Sequence, residues 1–142
     1  MQKISNIQIK NFKKLISPNE IRELIPASDK SIKTINQGRE EFCDILKNKN
    51  NRFVVIVGPC SIHNHESAIE YAKRLKILAD TVSDKILIIM RTYFEKPRTT
   101  VGWKGLISDN ALNGEKDMEA GLKLARKILI EIAEIGLPTA TE

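Results

Sequence analysis

The sequence predicts an α/β fold built on a parallel β-sheet. Two short apolar runs, Val-Val-Ile-Val at residues 54–57 and Ile-Leu-Ile-Ile-Met at residues 86–90, have the length and composition of parallel strands. From residue 53 onward these runs alternate with stretches whose apolar residues recur at helical spacing. Strands and helices in alternation indicate a parallel sheet with right-handed crossovers.

Residues 1–52 are predicted to form an extension outside this repeating unit. Alternating isoleucines at residues 4–9 predict a short strand, and Ser-Pro-Asn-Glu at residues 17–20 predicts the start of a short helix that ends by Pro26. A longer helix opens at Ser28 or Ser31. We expect its apolar residues to share one side: Ile32, Ile35, Phe42, Ile45 and Leu46.

Two helices and a third strand are predicted in residues 53–142. The first helix is capped by Asn64 or His65 and carries Ile69, Ala72, Leu75 and Leu78 at helical spacing. A strand over residues 85–90 follows. The second helix ends at Gly136 and carries Met118, Leu122, Ala125, Leu129 and Ile132. A third strand begins at Leu137.

The composition is typical of a soluble globular protein. Of the 142 residues, 42% are hydrophobic and 29% charged, which argues against disorder. No apolar stretch approaches the roughly 20 residues that a membrane span needs, and the N-terminus lacks a signal-peptide pattern, so we expect a cytoplasmic protein without a membrane partner. Cys43 and Cys60 are too few for a disulfide framework and are expected to be free thiols.

A basic segment at residues 91–105 follows the second predicted strand. It contains the cations Arg91, Lys96, Arg98 and Lys104, together with three threonines. Ligands of open α/β sheets bind beyond the carboxyl ends of the strands. Guanidinium and ammonium groups there favour a phosphate or carboxylate ligand, with the hydroxyls as further donors. A solvated basic loop is the plain alternative.

A second motif follows the first predicted strand. Gly58-Pro59 ends that strand abruptly and places Cys60 at its carboxyl edge. An isolated cysteine is usually an inert, buried small side chain. A thiol at one strand end and cations at the next nevertheless suggest one shared ligand site.

Together these motifs resemble a known family. Gly-Pro-Cys-Ser-Ile-His at residues 58–63 and Lys-Pro-Arg-Thr-Thr-Val-Gly-Trp-Lys-Gly at residues 96–105 are similar to 3-deoxy-D-arabino-heptulosonate 7-phosphate (DAHP) synthases of the type I alpha group. The resemblance is strong from about residue 51 to residue 142 and weaker before it. It implies a (β/α)₈ TIM barrel of about 250 residues. We therefore expect residues 53–142 to be the truncated first part of a barrel, with its first three strands, and residues 1–52 to be the N-terminal extension.

The resemblance also implies an activity. Family members condense phosphoenolpyruvate with erythrose 4-phosphate, release phosphate and so begin the shikimate pathway to chorismate and the aromatic amino acids. We expect the same transferase reaction of the intact protein, a homo-oligomer at full length. Because most of the barrel is absent, we expect the fragment itself to be inactive.

The family's functional positions map onto this chain by the same motifs. Arg91 and Lys96 match residues that bind phosphoenolpyruvate, with Lys96 the catalytic candidate, and Arg98 and Thr99 match residues that hold the aldose phosphate. Cys60 matches a ligand of a divalent metal ion, for which Mn, Fe, Co and Zn are all plausible because mixed thiolate, imidazole and carboxylate ligands accept several ions. The other metal ligands are expected beyond residue 142. Glu142 matches a glutamate at the end of a barrel strand near the substrates.

Two alternatives remain open at this point. The sister enzyme, 3-deoxy-manno-octulosonate 8-phosphate synthase, shares Gly-Pro-Cys, but the motif at residues 96–105 argues against it. A small nucleic-acid-binding protein is compatible with the net charge of +5, yet that charge is spread along the whole chain and no nucleic-acid-binding motif is present. We therefore expect no nucleic-acid partner.

Overall fold

The computed structural model describes residues 12–96 and 101–141. Its elements follow in the order α1 (Pro18–Leu24), α2 (Asp29–Leu46), β1 (Phe53–Val57), α3 (His65–Thr81), β2 (Ile86–Arg91), α4 (Met118–Ile135) and β3 (Thr139–Ala140). The strands form one parallel sheet in the order β1-β2-β3. The α/β class and the strand–helix alternation are therefore confirmed. The strand predicted over residues 4–9 lies outside the described residues.

The helix ends follow the sequence signals closely. The Ser17 hydroxyl accepts a hydrogen bond from the Glu20 amide, and the Glu20 carboxylate accepts one from the Ser17 amide, so the predicted capping box is present. Of the two serines considered for α2, Ser28 is the cap. Asn64 caps α3, and Gly136, with φ of 98°, ends α4.

The main core lies between β2 and the two helices α3 and α4. Ile88 and Met90 face these helices, and they pack with a buried set of residues that includes Ala72, Leu75, Ala125, Ile128 and Ile132. A hydrogen bond of 2.7 Å between His65 and the Glu131 carboxylate also joins the two helices.

The helix α2 of the predicted extension packs against the rest of the fold. A Cβ atom on Gly38 would lie only 2.6 Å from the Pro138 Cβ, so α2 touches the chain just before β3. Side chains of α2 and of the sheet, including Ile35, Phe42 and Ile89, line a cavity of about 730 Å³. The same cavity is also lined by residues of α4, among them Leu122, Ala125 and Leu129.

The predicted apolar stripes of the helices are only partly correct. In α2 the buried residues are Ser31 and Gly38, whereas Ile32 and Leu46 are exposed. Leu78 of α3 and Met118 of α4 are also exposed. In α4 two of the predicted residues, Ala125 and Ile132, are buried, and they share the buried face with Gly121, Ile128 and Ala133.

The strand β1 is an edge of the described sheet, and apolar side chains on both of its faces are open. Phe53 is 75% exposed and Ile56 is 53% exposed. The run at residues 54–57 is thus a parallel strand, but a poorly covered one. Within the described residues no helix is long and apolar enough to cross a membrane.

Candidate functional site

The two sequence motifs meet at one edge of the sheet. In the parallel register Val57 lies beside Met90, so the residues that follow β1 and the end of β2 leave the sheet at the same level. The motif beginning at Gly58 therefore adjoins Arg91, the last residue of β2. This is the carboxyl edge, where parallel sheets bind ligands.

Gly58 is needed for this close approach. A Cβ atom built there would lie 2.3 Å from the Arg91 carbonyl oxygen and 2.9 Å from the Arg91 Cβ. Only a residue without a side chain leaves room for the neighbouring backbone. Gly58 thus lets the strand ends pack directly against each other, which brings Cys60 and Arg91 into one region.

The Arg91 side chain is half-buried and held from two sides. Its Nη1 donates a long hydrogen bond of 3.5 Å to the Pro59 carbonyl, and its Cζ lies 3.9 Å from the centre of the Tyr93 ring. The guanidinium stacked on an aromatic ring keeps its charge and its in-plane donors. A further hydrogen bond of 2.7 Å, from the Ile62 amide to the Tyr93 carbonyl, ties the two loops together.

The basic segment continues as a loop whose ends are joined. Glu95 and Gly105 form an isolated antiparallel bridge. The Lys96 amide donates to the Lys104 carbonyl at 2.7 Å, and the Leu106 amide donates to the Phe94 carbonyl at 2.6 Å. We call residues 96–104 the basic loop; two of its cations, Lys96 and Lys104, therefore lie side by side at its base.

Within the basic loop, the Lys96 ammonium lies 6.0 Å from the centre of the Trp103 ring. The Trp103 indole donates a hydrogen bond of 2.8 Å to the Asp109 carbonyl, which fixes the ring. The distance is at the outer limit of a cation–π contact. Trp103 consequently limits where the Lys96 side chain lies without neutralising its charge.

Two other polar residues of the basic segment have structural partners that the sequence did not reveal. Thr92 is fully buried, and its hydroxyl and amide both donate to the Ala140 carbonyl, at 3.2 Å and 2.8 Å. The threonines of this segment were expected to donate to a ligand, but the Thr92 hydroxyl donates to β3. Glu95 is half-buried, and both of its carboxylate oxygens accept hydrogen bonds from Ser108, one from the amide at 2.9 Å and one from the hydroxyl at 2.8 Å.

Comparisons with known proteins agree with this geometry. The model of the DAHP synthetase I family matches residues 17–142. The chain belongs to this family. Its resemblance to DAHP synthases is therefore confirmed over most of its length.

Individual relatives bear this out. The chain is 47% identical to the Tyr-sensitive phospho-2-dehydro-3-deoxyheptonate aldolase of Escherichia coli, an alignment that covers 100% of the chain and 40% of the relative. It is 44% identical to the Phe-sensitive aldolase of the same organism, covering 96% and 39%. A solved aldolase structure from Francisella tularensis superposes with a TM-score of 0.89 at 45% identity, covering 94% of this chain and 39% of that one. The chain thus spans about 40% of the length of these relatives. All three are named phospho-2-dehydro-3-deoxyheptonate aldolase, and none of the three is named as the octulosonate enzyme.

The structure describes three of the predicted site residues, and it brings Cys60 and Arg91 to the same edge of the sheet. Lys96 lies five residues after Arg91, at the base of the basic loop. Arg98, Thr99 and Glu142 lie outside the described residues. The sequence analysis assigned no role to Glu95; the signal available for it was a carboxylate within an otherwise basic motif.

The donor set for a metal ion is incomplete. Cys60 is exposed at the carboxyl edge, where a ligand could reach its thiol. Among residues 12–96 and 101–141, however, no group of three or more His, Cys, Asp or Glu side chains is arranged to hold an ion. One thiolate does not fix a divalent ion by itself, so the described residues do not form a metal site.

Among the residues that the structure describes, two carboxyl groups have a lowered pKa, and both lie outside this site. The pKa of Glu66, in the first turn of α3, is lowered by its own backbone amide and then by the Asn64 side chain, which donates to it at 2.7 Å. The pKa of Glu20 is lowered by the hydroxyl and then the amide of Ser17. Both carboxylates stabilise helix N-termini.

Proposed function

We propose that this chain is part of a DAHP synthase, a transferase that condenses phosphoenolpyruvate with erythrose 4-phosphate and releases phosphate. The observation that carries this proposal is Arg91 at the carboxyl edge of the sheet, with Lys96 in the loop that follows it, in a chain whose relatives are phospho-2-dehydro-3-deoxyheptonate aldolases. Because the chain spans about 40% of those relatives, the activity is proposed for a protein of their full length.

The reaction requires that two phosphorylated anions come together despite their mutual repulsion. Fixed cations lower that cost, because they neutralise charge and orient both substrates before the reaction. We assign Arg91 and Lys96 to phosphoenolpyruvate, with Lys96 nearest the reacting carbon. Arg98 and Thr99 are assigned to the aldose phosphate. The stacking of Arg91 on Tyr93 supports the assignment of Arg91. The ring contacts the face of the guanidinium group, and the N–H donors at the edge of that group suit a carboxylate or phosphate.

The remaining assignments rest on the family resemblance. Cys60 is proposed as one ligand of a divalent metal ion, which would act as a Lewis acid beside the aldehyde when all its ligands are present. Glu142 is proposed to lie near the substrates. Residues 53–142 are proposed to begin a (β/α)₈ barrel and residues 1–52 to precede it. A cytoplasmic homo-oligomer of the relatives' full length is the form we propose for the active protein.

A hybrid protein tests the proposal. In this hybrid protein, residues 1–142 replace the aligned segment of the Tyr-sensitive aldolase of E. coli, with which they share 47% identity. We expect it to form DAHP from phosphoenolpyruvate and erythrose 4-phosphate, and not to use arabinose 5-phosphate. A hybrid protein that melts sharply but makes no DAHP, or that prefers arabinose 5-phosphate, would contradict the proposal.

Single substitutions in the hybrid protein test the division of the cations. Lys96→Ala is expected to lower kcat and the use of phosphoenolpyruvate, whereas Arg98→Ala is expected to raise mainly the KM for erythrose 4-phosphate. Loss of one charge-assisted contact costs about 1.5–3 kcal/mol, or about one to two orders of magnitude in kcat/KM. Lys73→Ala removes an exposed cation of α3 as the matched control and should change neither constant. Swapped or indistinguishable effects of the two site variants would refute the assignment.

A further inference from the structure

Glu95 lies at the base of the basic loop, where the two ends of the loop are hydrogen-bonded to each other. It precedes Lys96 directly, and it forms an isolated antiparallel bridge with Gly105; we call these two paired segments, residues 94–96 and 104–106, the hairpin. The two backbone hydrogen bonds that flank this bridge, at 2.7 Å and 2.6 Å, close the loop on either side of Glu95. The Glu95 backbone therefore helps to set the direction in which the neighbouring Lys96 side chain projects.

The Glu95 carboxylate adds a second connection, to the chain that follows the hairpin. Its Oε1 accepts a hydrogen bond from the Ser108 amide at 2.9 Å, and its Oε2 accepts one from the Ser108 hydroxyl at 2.8 Å. Hydrogen bonds to an ionised acceptor are stronger than those between neutral groups. The Asp109 amide, next along the chain, donates to the Gly105 carbonyl at 2.9 Å. The hairpin and the turn after it thus form one hydrogen-bonded unit.

The backbone is shaped to accommodate this carboxylate. Gly105 has φ of 141°, and a Cβ atom there would lie 2.4 Å from the Phe94 carbonyl oxygen, 2.5 Å from the Glu95 Cα and 2.7 Å from the Glu95 Oε1. The carboxylate and the opposing backbone therefore fill the space in which any other residue at this position would place its side chain. Such close packing holds the Glu95 side chain in a single arrangement.

We propose that Glu95 is a positioning residue: through Ser108 its carboxylate fixes the base of the basic loop and so sets the place of the Lys96 ammonium at the carboxyl edge of the sheet. Its consequence for phosphoenolpyruvate rests on the proposed function, but its effect on the loop does not. Both carboxylate oxygens are engaged with Ser108, which is the arrangement expected of a structural clamp and not of a group that exchanges protons with a substrate.

Hydrogen–deuterium exchange in the hybrid protein tests the effect on the loop without reference to activity. Glu95→Ala removes both bonds to Ser108, and the amides of Lys96, Leu106 and Ser108 are expected to exchange about 10- to 100-fold faster. Ser108→Ala keeps the amide bond and removes the hydroxyl bond, so its increase should be a few-fold only. Glu134→Ala, an exposed change on α4, is the control and should alter none of these amides.

Unchanged exchange of these amides in Glu95→Ala would overturn the proposal whether or not the hybrid protein makes DAHP. Faster exchange that extends equally through β1 and β2, with a lower melting temperature, would also overturn it, since Glu95 would then support the whole fold and not the loop.

Steady-state kinetics of the Glu95 variants provide a second test of the proposal. Glu95→Ala is expected to lower kcat/KM for phosphoenolpyruvate by about 10- to 100-fold. Glu95→Gln retains one oxygen that accepts from Ser108, so it should recover part of that loss and keep the parent pH profile. A Gln variant as inactive as the Ala variant, with one limb of the pH profile missing, would show that Glu95 acts in proton transfer and would overturn the positioning role.

Discussion

Gly58→Ala is the substitution for which the structure predicts the sharpest effect on the site. The added methyl group would lie 2.3 Å from the Arg91 carbonyl oxygen, about 1 Å inside ordinary contact, and it would also meet the Arg91 Cβ. The atoms in the way belong to the backbone at the end of β2, so no side chain can rotate aside. Relief requires the two strand ends to separate.

The expected cost follows from this geometry. Overpacking of a close backbone contact costs about 1–3 kcal/mol of folding free energy. A displacement of about 1 Å at a residue that holds a substrate costs about 10²-fold in rate. We therefore expect Gly58→Ala in the hybrid protein to lower the free energy of unfolding moderately and kcat/KM for phosphoenolpyruvate strongly, because Arg91 moves with its backbone.

Urea unfolding and steady-state kinetics measure the two effects. Gly114→Ala is the matched control, because a Cβ there meets no atom within 4 Å, although its φ of 79° costs about 1 kcal/mol. The control should therefore lose some stability and no activity. If Gly58→Ala behaves like Gly114→Ala in both measurements, the strand ends do not pack as closely as the structure shows, and the reasoning about Arg91 is refuted.

Three further predictions concern the metal ion, the capping box and the chain by itself. Cys60→Ala should leave the hybrid protein folded but strongly lower its bound metal, measured by elemental analysis; full metal content would contradict the ligand assignment. The pKa of Glu20 is lowered in the folded state, so its ionised carboxylate stabilises α1 at pH values above 4.5, the ordinary pKa of this group. This contribution is lost as the pH falls through the folded-state pKa. The protection factors of the α1 amides, corrected for the intrinsic pH dependence of exchange, should therefore fall with acid in the parent but not in Glu20→Gln, and equal acid dependence would contradict the cap. Residues 1–142 alone should make no DAHP and melt without a sharp transition, because exposed Phe53 and Ile56 leave the edge strand uncovered; a sharp melt with activity would contradict this.

The features that the sequence predicted correctly depend on local interactions. The caps at Ser17 and Gly136 join residues within three or four positions of each other, so a short motif is enough to specify them. The parallel strands follow from apolar runs whose flanking residues stop them. The meeting of Gly58 with Arg91 follows because parallel strands end at the same edge.

The features that it did not predict depend on contacts between distant residues. The buried side of α2 is set by Gly38 against Pro138, one hundred positions away, and this contact turns Ile32 outward in spite of its helical spacing. The role of Glu95 depends on a hairpin that returns the chain to Ser108. Neither partner is visible in a pattern of apolar spacing, since both pairs join polar or small residues.

The structure holds the two cations that we propose to bind phosphoenolpyruvate by different means. Arg91 is held by the sheet, through the packing of the strand ends at Gly58, whereas Lys96 is held by the hairpin, through Glu95 and its bonds to Ser108. If these two supports are independent, the losses in kcat/KM caused by Gly58→Ala and Glu95→Ala in the hybrid protein should add in free energy to within about 0.5 kcal/mol. The hydrogen bond from Ile62 to Tyr93 links the two loops, and it is the contact through which coupling would pass. If kcat/KM of the double variant is no lower than that of the less active single variant, the sheet edge and the hairpin move as one unit, and the two cations are positioned together.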